Sequence, residues 1–355
     1  MTQDSAAESK DVLACLSSFS DDVWSGPKSD EEYEWWYFDA ISDDGRDSIV
    51  IAFFDNFVFS PRYNGKCAGR AASTESGIPA VVFVLYRDGK PVCKITNEYE
   101  NARFSASTES PVCEIGRNRF EYGSAPYGNG YFVTIDMPLG ERRRIRAKFE
   151  WLSIEYDMGT RKSTGFTKGI HHWNIVAPRS DVSGRVTIID SKGKRHPTKF
   201  RGTGYHDHHR DSRWLAASIS EWSRGRVHLP YATAVYYDFV EEASLQRSTR
   251  LFFVEDDRIE ADHARIVEPV EFRRNTYGIK YPREFRLVSE NGQLLVKQSQ
   301  IVENSIYYLR FLSEIHVDHH KYHGEAWGIT EYLKPKHLRN RWLNFLTGMN
   351  ISRNG

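Results

Sequence analysis

Three segments made of turn residues, Ser42-Asp43-Asp44-Gly45, Arg87-Asp88-Gly89-Lys90 and Ser191-Lys192-Gly193-Lys194, punctuate runs of aromatic and β-branched residues. Trp35 to Ala40 and Ser48 to Phe54 flank the first, Ala80 to Tyr86 and Pro91 to Thr96 the second, and Val186 to Ile189 precedes the third. Gly and Asp suit tight hairpin turns, and β-branched and aromatic side chains fit a pleated surface. The chain therefore reads as a succession of hairpins. Further strands are expected at Tyr131 to Met137, Arg144 to Trp151, Ala232 to Phe239, Leu251 to Glu255, Glu284 to Leu287, Leu294 to Gln298 and Tyr307 to Ile315. Short strands with regular turns favour an all-β antiparallel sandwich or barrel over alternating βα units.

At 355 residues there is room for two such units. Residues 1–30 are polar and poorly patterned, and read as an arm with a short helix at Asp11 to Leu16. The charged turn at Lys192 to Phe200 marks a boundary, giving domains at 31–196 and 197–355. Each is long enough for a small ligand-holding barrel of about eight strands. A short C-terminal helix is expected at Pro335 to Leu346.

Lys and Arg number 48, as do Asp and Glu, so no net field draws the chain to nucleic acid or anionic lipid. Met1 to Lys10 has no basic start leading into an apolar run, and no stretch approaches a transmembrane span. Cys15, Cys67, Cys93 and Cys113 form no CxxC pair, which argues against structural zinc and leaves a reducing cytoplasm as the expectation. The 9 Trp, 19 Tyr and 20 Phe suit strands and also the lining of a pocket for a hydrophobic small molecule.

Chemistry concentrates in Gly204-Tyr205-His206-Asp207-His208-His209. Along an extended strand His206 and His208 share one face, and Asp207 and His209 the other. A carboxyl group in an apolar pocket keeps its proton through desolvation, so Asp207 is the first candidate acid, with His206 or His208 as proton partner. The bland reading is that these groups merely satisfy one another's hydrogen bonds. Gly202 and Gly204 precede no helix, which excludes a nucleotide loop. His316-Val317-Asp318-His319-His320 and His323 add imidazoles, but no zincin motif appears and no metal is expected.

Three segments together resemble the carotenoid 1,2-hydratase (hydroxyneurosporene synthase) family. They are Glu34-Trp35-Trp36-Tyr37-Phe38-Asp39-Ala40 with Phe59-Ser60-Pro61; His172-Trp173 with Ala177-Pro178; and Gly202 to His208 through Trp222-Ser223-Arg224 to Tyr237-Asp238. Arg210-Asp211 and the segment Gly324 to Tyr332 depart from that family's pattern. The resemblance implies two lipocalin-like domains and hydration of a polyene or isoprenoid without cofactor or metal. Similar folds include fungal decalin-forming pericyclases, so cyclisation is an alternative, and a lipocalin-like carrier is a third.

Hydration of an alkene requires protonation to a cation and capture by water. The expected catalytic set is Asp207, His206, His208 and Tyr205, in an apolar pocket at or near the domain junction. The expected substrate-binding set is Trp35, Trp36, Asp39, Trp222, Arg224, Tyr237 and Glu331. Aromatic faces would stabilise the cation, Arg224 would pair with Asp207 or fix a substrate oxygen, and Glu331 would be a reserve acid. Because Trp35 and Trp36 alternate, at most one of them points into any one pocket.

Overall fold

The computed structural model describes residues 12–69, 77–140, 142–153, 168–255, 258–340, 343 and 351–352. The first sheet takes β1 (Leu13–Leu16), β2 (Tyr33–Ser42), β3 (Asp47–Phe54), β4 (Ala80–Arg87), β5 (Lys90–Glu98), β6 (Phe104–Ala106), β7 (Val112–Ile115), β8 (Asn118–Ala125), β9 (Gly128–Pro138), β10 (Arg144–Ser153), β11 (His171–Ile189) and β12 (Arg195–Asp211). The second takes β13 (Ile219–His228), β14 (Thr233–Glu241), β15 (Arg247–Glu255), β16 (Arg258–His263), β17 (Arg265–Arg274), β18 (Lys280–Val288), β19 (Gly292–Asn304), β20 (Tyr308–His319) and β21 (His323–Leu333). A last strand, β22 (Ile351–Ser352), returns to the edge of the first sheet beside β5.

Both sheets curl. Phe120 of β8 lies 5.5 Å from Trp36 and 5.1 Å from Phe53, ring centre to ring centre, across the inside of the first sheet. In the second, β15 comes into contact with β17. The outcome is the expected all-β architecture of two lipocalin-like units.

Alternation along the strands sorts the aromatic residues into separate cores. On β2, Trp36, Phe38 and Ala40 enter the interior of the first sheet, while Tyr33, Trp35 and Tyr37 enter a core between the two sheets. On β14, Val235, Tyr237 and Phe239 join that shared core, and Ala234 and Tyr236 fill the second sheet. A strand buried on both faces loses the polar half of its alternation, which is why Tyr33 to Ala40 reads as a nearly continuous apolar run.

Four expectations are corrected or bounded by this arrangement. Leu13 to Leu16 is a strand, parallel to β11, where a short helix was expected. The arm is also built into the body: Ser17 Oγ donates to Ile175 O at 2.6 Å, and Asp22 is fully buried. The boundary at 196/197 falls inside the β11–β12 hairpin, and β12 pairs with β2 as well as β11, so the change of sheet comes after Asp211. At the C-terminus, Pro335–Arg339 is a 3₁₀ turn, and most of the rest of the expected helix lies outside the described residues. No helix among the described residues is long and apolar enough to cross a membrane.

Candidate active site

The strand β12 runs between the two cores, and its alternation divides the His-rich segment as its sequence predicts. Tyr205, Asp207, His209 and Asp211 face the junction, opposite Asp39, Tyr37, Trp35 and Tyr33 of β2 in register. Gly204 lets the strand approach its neighbours: a Cβ there would stand 2.4 Å from Trp151 Nε1 and 2.5 Å from Val182 Cγ2.

Four donors converge on one oxygen of Asp207. Trp173 Nε1 donates to Oδ2 at 2.9 Å and the Tyr205 hydroxyl at 2.8 Å, His209 Nε2 lies 3.1 Å away, and Arg224 Nη1 closes the group. The other oxygen, Oδ1, is buried and makes no hydrogen bond. Burial works to raise Asp207, but the Arg224 guanidinium and then His209 hold it well below the ordinary carboxylate range. Asp207 therefore rests as a carboxylate, a correction to the expectation that desolvation keeps its proton in place. Burial pushes His209 down to about 4, against the pull of Asp207, so this ring is neutral near pH 7.

Arg224 is shared. Its Nη2 donates to Glu331 Oε2 at 2.8 Å, and Glu331 also receives Arg310 Nε at 3.2 Å and the Tyr37 hydroxyl at 3.0 Å. Arg310 continues to Glu303 at 2.9 Å, which Lys94 meets at 2.6 Å. A separate pair, Arg226 with Asp39, joins β13 to β2. The junction is thus crossed by a seam of paired charges, buried at Asp39, Asp207, Arg224, Arg226, Arg310 and Glu331 and reaching the surface at Lys94.

Aromatic rings close over the site. Trp35 stacks on His209 at 4.7 Å, Trp222 stacks on the same ring at 5.8 Å, and Tyr237 stacks on Trp173 at 4.7 Å. The expected apolar pocket is replaced by a closed, partly charged junction. A cavity of about 10 Å³ lies beside Asp39, Tyr205, Arg224, Arg226 and Glu331, room for about one water.

Of the residues predicted from sequence, Tyr205, Asp207, Trp35, Asp39, Trp222, Arg224, Tyr237 and Glu331 come together here. His206, His208 and Trp36 do not, because their odd-even phase turns them into the first core. There His206 Nε2 lies 2.9 Å from Asp22 Oδ2, and His208 lies 2.7 Å from Glu34 and 3.1 Å from Asp22. Neither ring is the partner of Asp207; His209 is. Against burial, Glu34 and Asp22 hold His208 up at about 9, so it is an imidazolium between two carboxylates.

Sequence reasoning left His171, Trp173, His209 and Asp211 out of the site. The signal was present: Tyr205, Asp207, His209 and Asp211 share one parity on β12, as do His171 and Trp173 on the adjacent β11. The later histidines keep separate company, with His319 and His320 beside Glu260, whose carboxylate also meets Lys321.

Fold and site together describe two lipocalin-like β units with a buried, charge-paired aspartate at their junction. The family model for the carotenoid hydratase CrtC matches residues 141–355, and the chain belongs to that family. The chain is 27% identical to a hydroxyneurosporene dehydrogenase of Chlorobaculum tepidum, over 94% of this chain and 90% of that one. It is also 27% identical to an acyclic carotenoid 1,2-hydratase of Rubrivivax gelatinosus, over 67% of this chain and 55% of the relative.

Among solved structures, an AttH protein of Nitrosomonas europaea aligns with a TM-score of 0.59 at 13% identity, over 90% of this chain and 97% of that one. Kievitone hydratase of Nectria haematococca aligns with a TM-score of 0.53 at 10% identity, over 91% and 97%. At such identities these likenesses concern the fold.

Proposed function

We propose that the protein adds water across a carbon–carbon double bond of a hydrophobic polyene or isoprenoid, with Asp207 carrying the proton. The observation behind this reading is the unequal treatment of the two Asp207 oxygens: four donors meet Oδ2, while Oδ1 is buried without a hydrogen bond. Protonation at Oδ1 leaves every donation to Oδ2 in place. The resulting acid is scarce because Arg224 and His209 favour the carboxylate, and strong for the same reason, which an unactivated alkene requires.

The cation formed beside Asp207 would meet the faces of Trp35 and Trp222, each worth about 0.5–2 kcal/mol when desolvated. A water admitted to the small cavity would lie near the carboxylates of Asp39 and Glu331, either of which can take the proton it loses on adding to the cation. A polyene needs far more room than this cavity, on the order of 300 Å³ or more, so substrate entry separates the facing side chains of the two sheets. All these steps use the chain's own residues. The reading keeps the protein in a reducing cytoplasm, in line with four cysteines that form no disulfide.

Cyclisation is the second reading. It is favoured by the Tyr205 hydroxyl and the Arg224 guanidinium beside the cavity, donors able to polarise a conjugated carbonyl. The test is incubation of chelator-treated protein with an acyclic carotenoid and shorter isoprenoid polyenes in oxygen-18 water, followed by mass spectrometry. One labelled water in the product is expected. An isomeric, unlabelled product assigns a cyclase, and ligand recovered unchanged from every incubation rejects both. Asp207→Asn is expected to abolish turnover; undiminished turnover removes Asp207 from the acid role.

A further inference from the structure

Asp207 is sealed from solvent, so a proton that leaves it has to be replaced through the protein. A set of titratable groups runs from its carboxylate along the junction face that β12 shares with β11. His209 Nε2 lies 3.1 Å from Asp207 Oδ2, and His209 Nδ1 lies 3.1 Å from His171 Nε2. On its far side, His171 Nδ1 lies 3.5 Å from Asp211 Oδ2, within ion-pair distance and without a hydrogen bond at rest. Asp211 accepts from Arg213 Nε and Nη2, both at 3.0 Å, and the Arg213 side chain is 25% exposed.

We infer that Asp211, His171 and His209 form a buried proton relay to the Asp207 carboxylate, whose outer end, Asp211, lies beside the partly exposed Arg213 and meets water when the sheets part for substrate. This rests on the reading of Asp207 as proton carrier.

Each imidazole accepts at one nitrogen as it gives from the other. His209 Nε2–H passes its proton to Asp207 Oδ2, and a half-turn of the carboxyl group about its Cβ–Cγ bond carries the protonated oxygen into the Oδ1 position; His209 Nδ1 takes the proton of His171 Nε2, and His171 Nδ1 takes one carried by Asp211. One proton enters, one leaves, and both rings change tautomer without gaining charge. Neutral rings suit this task, and burial holds both His171 and His209 below the ordinary imidazole value. The charged and titratable groups around the two rings are Asp211 and Arg213 beyond them, Tyr237 of β14, whose hydroxyl lies 3.1 Å from His171 Nε2, and Asp207 and Arg224 at the inner end.

The first test needs no substrate. In full-length protein labelled with nitrogen-15 at histidine, ring nitrogen shifts report the tautomer and protonation of His171 and His209. Asp211→Asn is expected to move the nitrogens of both rings, and His209→Gln to isolate His171 from the effect of Asp207→Asn. If Asp211→Asn leaves the His209 nitrogens unmoved, the relay is overturned.

The second test uses an acyclic carotenoid as probe. Asp211→Asn and His209→Gln are each expected to lower kcat about tenfold, below the roughly 10²–10⁴ of a direct acid, to alter its pH profile and to leave KM within about twofold. Unchanged kcat and pH profile in both variants would overturn the relay while wild-type hydration upholds the function. Should wild type hydrate no polyene, the functional reading fails, and the nitrogen spectra still decide the relay.

Discussion

Asp207 and His208 are covalent neighbours whose side chains serve different cores. The Asp207 carboxylate lies between the sheets against Arg224, and the His208 ring lies inside the first sheet, stacked on Trp36 at 4.8 Å. One strand therefore carries two buried electrostatic systems back to back. The outer one gathers at the candidate active site, and the inner one fastens the N-terminal segment to the body through Asp22.

The inner system predicts a pH window for stability. His208 is raised from 6.5 to about 9 in the folded protein, so its contribution is fully present below about pH 6.5 and is lost as pH rises through about 9. Glu34 is lowered from 4.5 to about 2, against its burial, by Lys28 and His208; its contribution is present above about pH 4.5 and lost as pH falls through about 2. Urea midpoints are expected to be highest between these limbs. His208→Phe should remove the alkaline limb, and a slope there that survives the substitution would exclude His208 as its source.

Across the junction, Arg226 and Asp39 are both buried and join the two sheets. Breaking a buried pair on one side leaves an uncompensated charge, at a cost of about 3–5 kcal/mol. Asp39→Asn and Arg226→Met are each expected to destabilise the fold on that scale, and the double variant to recover much of the loss. Strictly additive losses in a denaturation double-mutant cycle would mean that the pair is not coupled.

Trp222 offers its ring both to His209 and to the space a cation would occupy. If it stabilises the cation by about 1–2 kcal/mol, Trp222→Leu lowers kcat about 5- to 30-fold, and Trp222→Phe, which keeps an aromatic face, lowers it less. Equal loss in the two variants, measured by single-turnover kinetics, would assign Trp222 to packing.

Gly204 admits no side chain without displacement of Trp151 or Val182, and the Asp39 carbonyl oxygen stands 3.0 Å from where its Cβ would lie. Gly204→Ala is expected to cost about 1–3 kcal/mol through overpacking. The check is a lower denaturant midpoint with an unchanged m-value; an unchanged midpoint would mean that the strand yields freely.

Local pattern was sufficient for the strand class, for the hairpin turns and for the opposite faces of Trp35 and Trp36, because period-two alternation and turn chemistry act over a few residues. It also sufficed to bring Tyr205, Asp207 and Arg224 into one candidate site. The expectation of His206 or His208 as the partner of Asp207 runs against strand parity, which sets both on the opposite face and His209 on the Asp207 face. Tertiary structure decided the rest. Trp173 reaches Asp207 and His171 reaches His209 because β11 pairs with β12, Glu331 reaches Arg224 because β21 pairs with β13, and Asp22 reaches His206 because β1 docks on β11. The balance of charge at Asp207 depends on these long-range pairings, since Arg224 approaches it from the opposite sheet and reverses the effect that burial alone would have.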